Sequence, residues 1–149
     1  MKRFVPLALI LLSACASGTA KVDPKVEPEF NVRVMPVPEA RPGTANPFAT
    51  IIEVDVANPS SSQTIILRKI DVASFGQGRY TVIPASQTFG GSIGPRQQED
   101  FAVRVYVRAE QTLTNEEEPL MMRVLFFFES PDGAFRRTYV QRINPSTMK

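Results

Sequence analysis

The stretch that most constrains the fold is Asp100–Arg108. Phe101, Val103, Val105 and Val107 fall on one side of an extended chain, and Ala102, Arg104, Tyr106 and Arg108 fall on the other. Alternation at period two marks a half-buried β-strand, and an α-helix would scatter those four apolar residues around its axis. The same period recurs upstream. Phe30, Val32 and Val34 share a face, with Asn31 and Arg33 opposite. Across Ala49–Val56, Thr50, Ile52, Val54 and Val56 alternate with Glu53 and Asp55. Thr64–Val72 slips phase between Leu67 and Ile70, and a bulge at Arg68–Lys69 returns both halves to one face. Arg79–Ile83 is a short fourth strand. Leu120–Phe128 is apolar on both faces apart from Arg123, the pattern of a central strand. Ala134–Ile143 completes the set.

Turn signals separate these runs. Pro36, Pro38, Pro42 and Pro47, with Gly43, punctuate a long connection. Asn58-Pro59-Ser60 initiates a turn, Gly76-Gln77-Gly78 makes another, and Ser130-Pro131-Asp132-Gly133 is a hairpin signal. Gly90–Pro95 reads as a flexible loop, and the acidic run Glu116–Glu118 as a polar one. No segment carries a convincing amphipathic helical period. Seven short strands predict an all-β fold, a seven-stranded β-sandwich of the immunoglobulin or fibronectin-III kind. The Cys…Trp…Cys hallmark of antibody domains is missing, since the chain has one Cys and no Trp.

The N-terminus follows different rules. Lys2 and Arg3 precede the apolar run Phe4–Leu12, which falls well short of the ~20 residues a membrane-spanning helix needs and suits the core of a secretory signal. Leu12-Ser13-Ala14-Cys15 then resembles the lipobox of bacterial lipoprotein precursors. The resemblance implies cleavage after Ala14, a thioether-linked diacylglycerol on Cys15 and acylation of the new N-terminus. An ordinary cleaved signal prefers small residues spaced A-x-A, which this stretch matches poorly. Each buried CH₂ adds ~0.8 kcal/mol, so two or three chains anchor a protein almost permanently. Ala16, rather than Asp, follows the cysteine. By resemblance to lipoproteins of two-membrane bacteria, this implies the outer membrane, facing the periplasm.

Three segments are therefore expected: a signal over 1–14, a lipidated Cys and Pro-rich flexible tether over 15–29, and a β-sandwich domain over 30–145. The tether repeats basic, Val, acidic, Pro in Lys21–Pro24 and Lys25–Pro28. At ~3.1 Å per residue, Ala16–Glu29 would reach roughly 40 Å.

Charge and composition narrow the function. Lys2 and Arg3 supply the whole net charge of +2, so the chain beyond the signal is formally neutral and nucleic acid is not an expected partner. The absence of His removes the commonest general base and metal ligand. With Cys15 lipidated, no intrachain disulfide can form. Gly76-x-Gly78 precedes a strand rather than a helix, so it is no dinucleotide fingerprint, and Gly90–Pro95 lacks the Gly-Lys-Ser/Thr of a phosphate loop. Proline in the middle position disqualifies Asn58-Pro59-Ser60 and Asn144-Pro145-Ser146 as glycosylation sequons. Glu116–Glu118 offers carboxylates to Ca²⁺, but adjacent residues rarely converge on one ion, and a solvated loop is the better reading. Glu53 and Asp55 share a strand face, the one arrangement that suggests a carboxylate-pair hydrolase. No catalytic residue, metal or cofactor is assigned.

The remaining candidates are arginines and their neighbours. Arg104, Tyr106 and Arg108 share the outer face of one strand, and Arg123, Leu125 and Phe127 the outer parity of the next. If the two strands align, one sheet face presents guanidinium groups beside apolar ones, as binding hot spots do. Ordinary solvated strand faces are the competing account.

A second resemblance concerns Ala49–Arg108. Val54-Asp55-Val56-Ala57-Asn58-Pro59, the strand Ile65–Val72, a Gly turn, and Ile93-Gly94-Pro95 ahead of a Val-alternating strand resemble the water-stress and hypersensitive-response domain of late-embryogenesis-abundant type 2 proteins. The resemblance implies the same sandwich and a stress-protection or small-ligand-binding role. The chain as a whole is expected to be a lipid-anchored, non-enzymatic binding or scaffold module. It would be held to a membrane through Cys15 and would offer the arginine face, or an edge strand, to an envelope protein.

Overall fold

A computed structural model describes residues 26–36, 47–76, 80–109 and 119–143. The expected signal, Cys15, the expected tether as far as Lys25, Pro38 to Gly43, Gly78, Arg79, Glu116–Glu118 and Asn144-Pro145-Ser146 lie outside the described residues. Eight strands follow in order: β1 (Glu29–Pro36), β2 (Phe48–Ala57), β3 (Ile65–Ser74), β4 (Tyr80–Ile83), β5 (Ala85–Ile93), β6 (Gln98–Ala109), β7 (Leu120–Ser130) and β8 (Gly133–Ile143). They form two antiparallel sheets, the first in the order β1-β2-β6-β4 and the second in the order β5-β3-β7-β8.

The alternation read from the sequence sets the inside and outside of both sheets. Ile52, Val54, Val56, Val103, Val105 and Val107 point inward from the first sheet. Ile65, Leu67, Ile70, Val72, Val124, Phe126 and Phe128 meet them from the second, in one continuous core. Each fully buried side chain of this size contributes ~1.5–3 kcal/mol, against at most ~1 kcal/mol for a surface ion pair, so the core rather than the charges holds the fold. The bulge falls where the phase slips. Pairing shifts between Leu67 and Lys69 on both flanks of β3, and the extra residue, Arg68, turns out to an ion pair with Glu129 at 2.7 Å.

One turn holds the end of the first sheet to the second. The buried Asn58 amide donates to the carbonyls of Gln63, Ile93 and Gly94 at 2.8, 3.0 and 3.1 Å, while its Oδ1 accepts from Ser60 N–H at 3.1 Å. Its backbone N–H reaches the Gln97 carbonyl at 2.9 Å. The expected turn initiator thus also closes the β5–β6 connection from the inside.

Two expectations are corrected. The glycine-rich stretch is not a loop as far as Ile93, because Gly90–Ile93 belongs to β5 and raises the strand number from seven to eight. Gly91 pairs with Leu67, and a Cβ on it would collide with the Phe101 ring. Glycine stands there because the first sheet approaches the backbone closely, not because the chain turns. The folded body also begins earlier than residue 30. Val26 is only 2% exposed and joins the core, Pro28 is buried, and Glu27 forms a two-pronged ion pair with Arg137 of β8. Phe30 stacks on Phe126 with ring centroids 4.6 Å apart, and Phe128 on Phe135 at 5.2 Å. Residues 26–30 therefore join the edge strand of one sheet to that of the other.

Candidate functional site

The six residues singled out from the sequence do not form one face. Arg104, Tyr106 and Arg108 lie on β6, between β2 and β4 of the first sheet. Arg123, Leu125 and Phe127 lie on β7, between β3 and β8 of the second. All six have outward parity, so the two sets look away from each other across the core. Parity fixes inside against outside for each strand, but the long β6–β7 connection carries the chain from one sheet to the other.

On the first sheet the outer rows follow the pairing. Met35, Ile51 and Arg104 form one row, and Ala49, Tyr106 and Ile83 the next. Tyr106 is 46% exposed and Met35 45%. The other end of this face is polar and internally matched. Arg33 pairs with Asp55 at 2.9 Å and approaches Glu53 at 3.9 Å, and Asn31 donates to Asp55 at 3.0 Å. Glu53 and Asp55, the pair that suggested a hydrolase, thus share one arginine on an open strand face.

The second sheet has a different outer surface, and its shape follows from a change of sheet. The chain leaves β4, which pairs with β6 in the first sheet, passes Pro84 and enters β5, which pairs with β3 in the second. The β3–β5 pairing ends at Val72 and Ala85, so Ala73 has no β5 neighbour. Ser74 Oγ accepts the Val82 N–H and fixes the departing strand. The departure leaves a groove of about 350 Å³ lined by β3, the Pro84 corner and β7.

Arg123 stands opposite Ala73 and lines that groove with Leu125. Its Nε is buried and has no hydrogen-bond partner among the described residues. Beside it the charges are matched. Lys69 Nζ lies 2.8 Å from Asp71 and 4.2 Å from the Phe127 ring centroid, and Ser86 donates to Asp71 at 2.6 Å. Burial pushes the Asp71 carboxyl up, but hydrogen bonds from Lys69 and Ser86, helped by the Lys69 charge, hold it below the usual carboxylate range. The cation–π contact and the ion pair occupy Lys69, whereas Arg123 has neither among the described residues. Towards β8, Arg123 pairs in register with Val140, which is 45% exposed.

Sequence reasoning found Arg123 and Leu125 but missed Lys69, Asp71 and Ser86, which complete the surface. The signal that could have found them is Pro84 between two strand-like runs, because proline interrupts a ladder and allows the chain to change sheets. Among the described residues, no three of His, Cys, Asp and Glu are placed to hold a metal ion.

No family model and no curated protein matches the chain. Solved structures share its fold. A structural-genomics crystal structure of the protein called ApaA from Bordetella pertussis aligns at a TM-score of 0.54 and 13% identity, over 79% of this chain and 94% of that one. The structural-genomics target SoR45 aligns at 0.55 and 11%, over 82% and 90%. At such identities the likeness is one of fold.

Proposed function

We propose that this protein is a lipid-anchored, non-enzymatic binding or scaffold module of a bacterial envelope. Acyl chains on Cys15 hold it at the outer membrane facing the periplasm, and an immunoglobulin- or fibronectin-like body offers the second sheet to a partner protein. The resemblance of Leu12-Ser13-Ala14-Cys15 to a lipobox supports the anchor. The observation that carries the binding is the outer face of the second sheet. Arg123, whose Nε has no partner among the described residues, sits there beside Leu125, Phe127 and exposed Val140, and the face runs out to β8, an edge strand of the sheet among the described residues. Arginine and aromatic groups on one surface are enriched in binding hot spots, and an unpaired edge accepts an added strand.

Two measurements test the two halves. Cys15→Ser should move the protein out of the detergent-extracted membrane fraction, and unchanged fractionation would end the anchor reading. Affinity capture from envelopes should lose its specific partner on Arg123→Ala/Phe127→Ala and keep it on Arg104→Ala/Tyr106→Ala. Equal partner sets from both variants would remove the second sheet as the docking face.

The groove also supports a second reading, a small-ligand or stress-protection lipoprotein of the late-embryogenesis type 2 kind. It predicts that a deletion strain loses survival on drying or osmotic shock.

A further inference from the structure

The groove at the β4–β5 corner has an unusual charge arrangement for an outer sheet face. Its described lining holds two cations and one carboxylate, and Lys69 and Asp71 already satisfy each other. The surplus is a single guanidinium. Burying a donor such as Arg123 Nε without an acceptor is unfavourable, more so when the donor is charged. Polar burial of this kind is rarely left unmatched. The Nε itself is sealed from solvent, so an acceptor in the groove meets the guanidinium at its outer nitrogens and supplies the charge partner that the described residues do not.

The chemistry of the walls limits that acceptor. A guanidinium fork matches a carboxylate with two parallel hydrogen bonds. A phosphate dianion would bring a second negative charge close to Asp71 with only one free cation to balance it. The surplus of one therefore favours a monoanion. Leu125, Ala73 and Pro84 supply an apolar side to the same space, which suits a short aliphatic substituent. The volume of about 350 Å³ lies at the lower end of the ~300–1,000 Å³ typical of ligand sites, so the occupant is small.

We propose that this groove is a binding site for an aliphatic monocarboxylate, with Arg123 gripping the carboxylate and Leu125, Ala73 and Pro84 contacting the alkyl group. The carboxylate belongs either to a free small acid or to the C-terminus of a polypeptide, and the chemistry of recognition is the same. The site goes beyond the anchored-module reading, because its ligand binds whether or not Cys15 carries lipid.

The test uses the full-length chain in detergent and follows backbone amide resonances during titration. Isobutyrate is the first probe, isobutyramide its neutral counterpart, and acetyl-Gly-Val with a free C-terminus the polypeptide probe. Isobutyrate should shift the amides of Ala73, Ser86 and Arg123 with a Kd on the order of millimolar, as expected for so few contacts. Isobutyramide should bind at least tenfold more weakly. Arg123→Gln should weaken isobutyrate binding at least tenfold, and Arg104→Gln on the opposite sheet should leave it unchanged. Ala73→Leu fills the groove with Arg123 retained, and should block binding as well, so the result does not depend on one variant folding. Tighter binding of acetyl-Gly-Val than of isobutyrate assigns the site to a chain terminus, and the reverse assigns it to a free acid. The proposal is overturned if isobutyrate shifts none of these amides, if the amide probe binds as tightly, or if folded Arg123→Gln and Ala73→Leu both bind as wild type does.

Discussion

The outer faces of the two sheets are built from the same alternation and carry similar residue types, yet they treat their arginines in opposite ways. On the first sheet, Arg33 is matched by Asp55 and Glu53 on the neighbouring strand, and the sheet runs without interruption from β1 to β6. On the second, Arg123 faces the methyl group of Ala73 beside a gap left where the chain changes sheets. The difference does not come from local sequence, since both arginines sit at outward positions of well-patterned strands. It comes from what stands across the ladder: Arg33 meets the carboxylates of β2, whereas Arg123 has Ala73 and Val140 in register and an open groove beyond Ala73.

The largest expected effect is a control on that comparison. Asn58 lies on neither face but holds the turn that joins both sheets, and Asn58→Ala leaves its buried carbonyl partners unmatched. Stability in urea should fall by about 2–3 kcal/mol, with amide exchange accelerating on both sheets alike. A loss confined to one sheet would mean that the sheets are separately held. Next comes Gly91→Val, which drives a side chain into Phe101 and should cost ~1–3 kcal/mol by overpacking. An unchanged unfolding midpoint would show that β5 does not lie against the first sheet at that point.

A smaller effect separates the matched charges of the second sheet from the unmatched one. Asp71 is held below its ordinary pKa in the folded protein, so its interactions contribute stability above the unfolded value and lose it as pH falls through the folded one. Lys69→Met removes part of that contribution. Half-exposed pairs are weakened by solvent, so the deficit at neutral pH should stay under ~1 kcal/mol. Wild type and variant should converge below the ordinary aspartate range near pH ~3.9. A deficit that grows on acidification would contradict the assigned direction. The smallest change is Arg33→Met on the first sheet, where an exposed pair is worth at most ~0.5 kcal/mol in thermal unfolding.

These contrasts also mark what the sequence could convey. Apart from β5, strand positions and their inner faces were legible because period-two patterning is local. So was the bulge at Arg68, since a phase slip inside one strand has few other causes. Sheet membership was not legible, and Arg104 and Arg123 show why. Outward parity is identical on the two sheets, and only the whole topology tells which sheet a strand joins. Gly91 misled because glycine serves both turns and close backbone approach, and the approaching ring belongs to Phe101 in another sheet. Val26 and Pro28 misled because an extended Pro-rich segment looks like a spacer until Glu27 meets Arg137, which lies far along the chain.

The sign of one free-energy difference tests the account most directly. Arg123→Met keeps the aliphatic stem and removes the buried donor, so urea unfolding without ligand should show a gain of about 1 kcal/mol in stability. A loss of similar size would mean that Arg123 is matched as Arg33 is, and that the two faces do not differ in the way described.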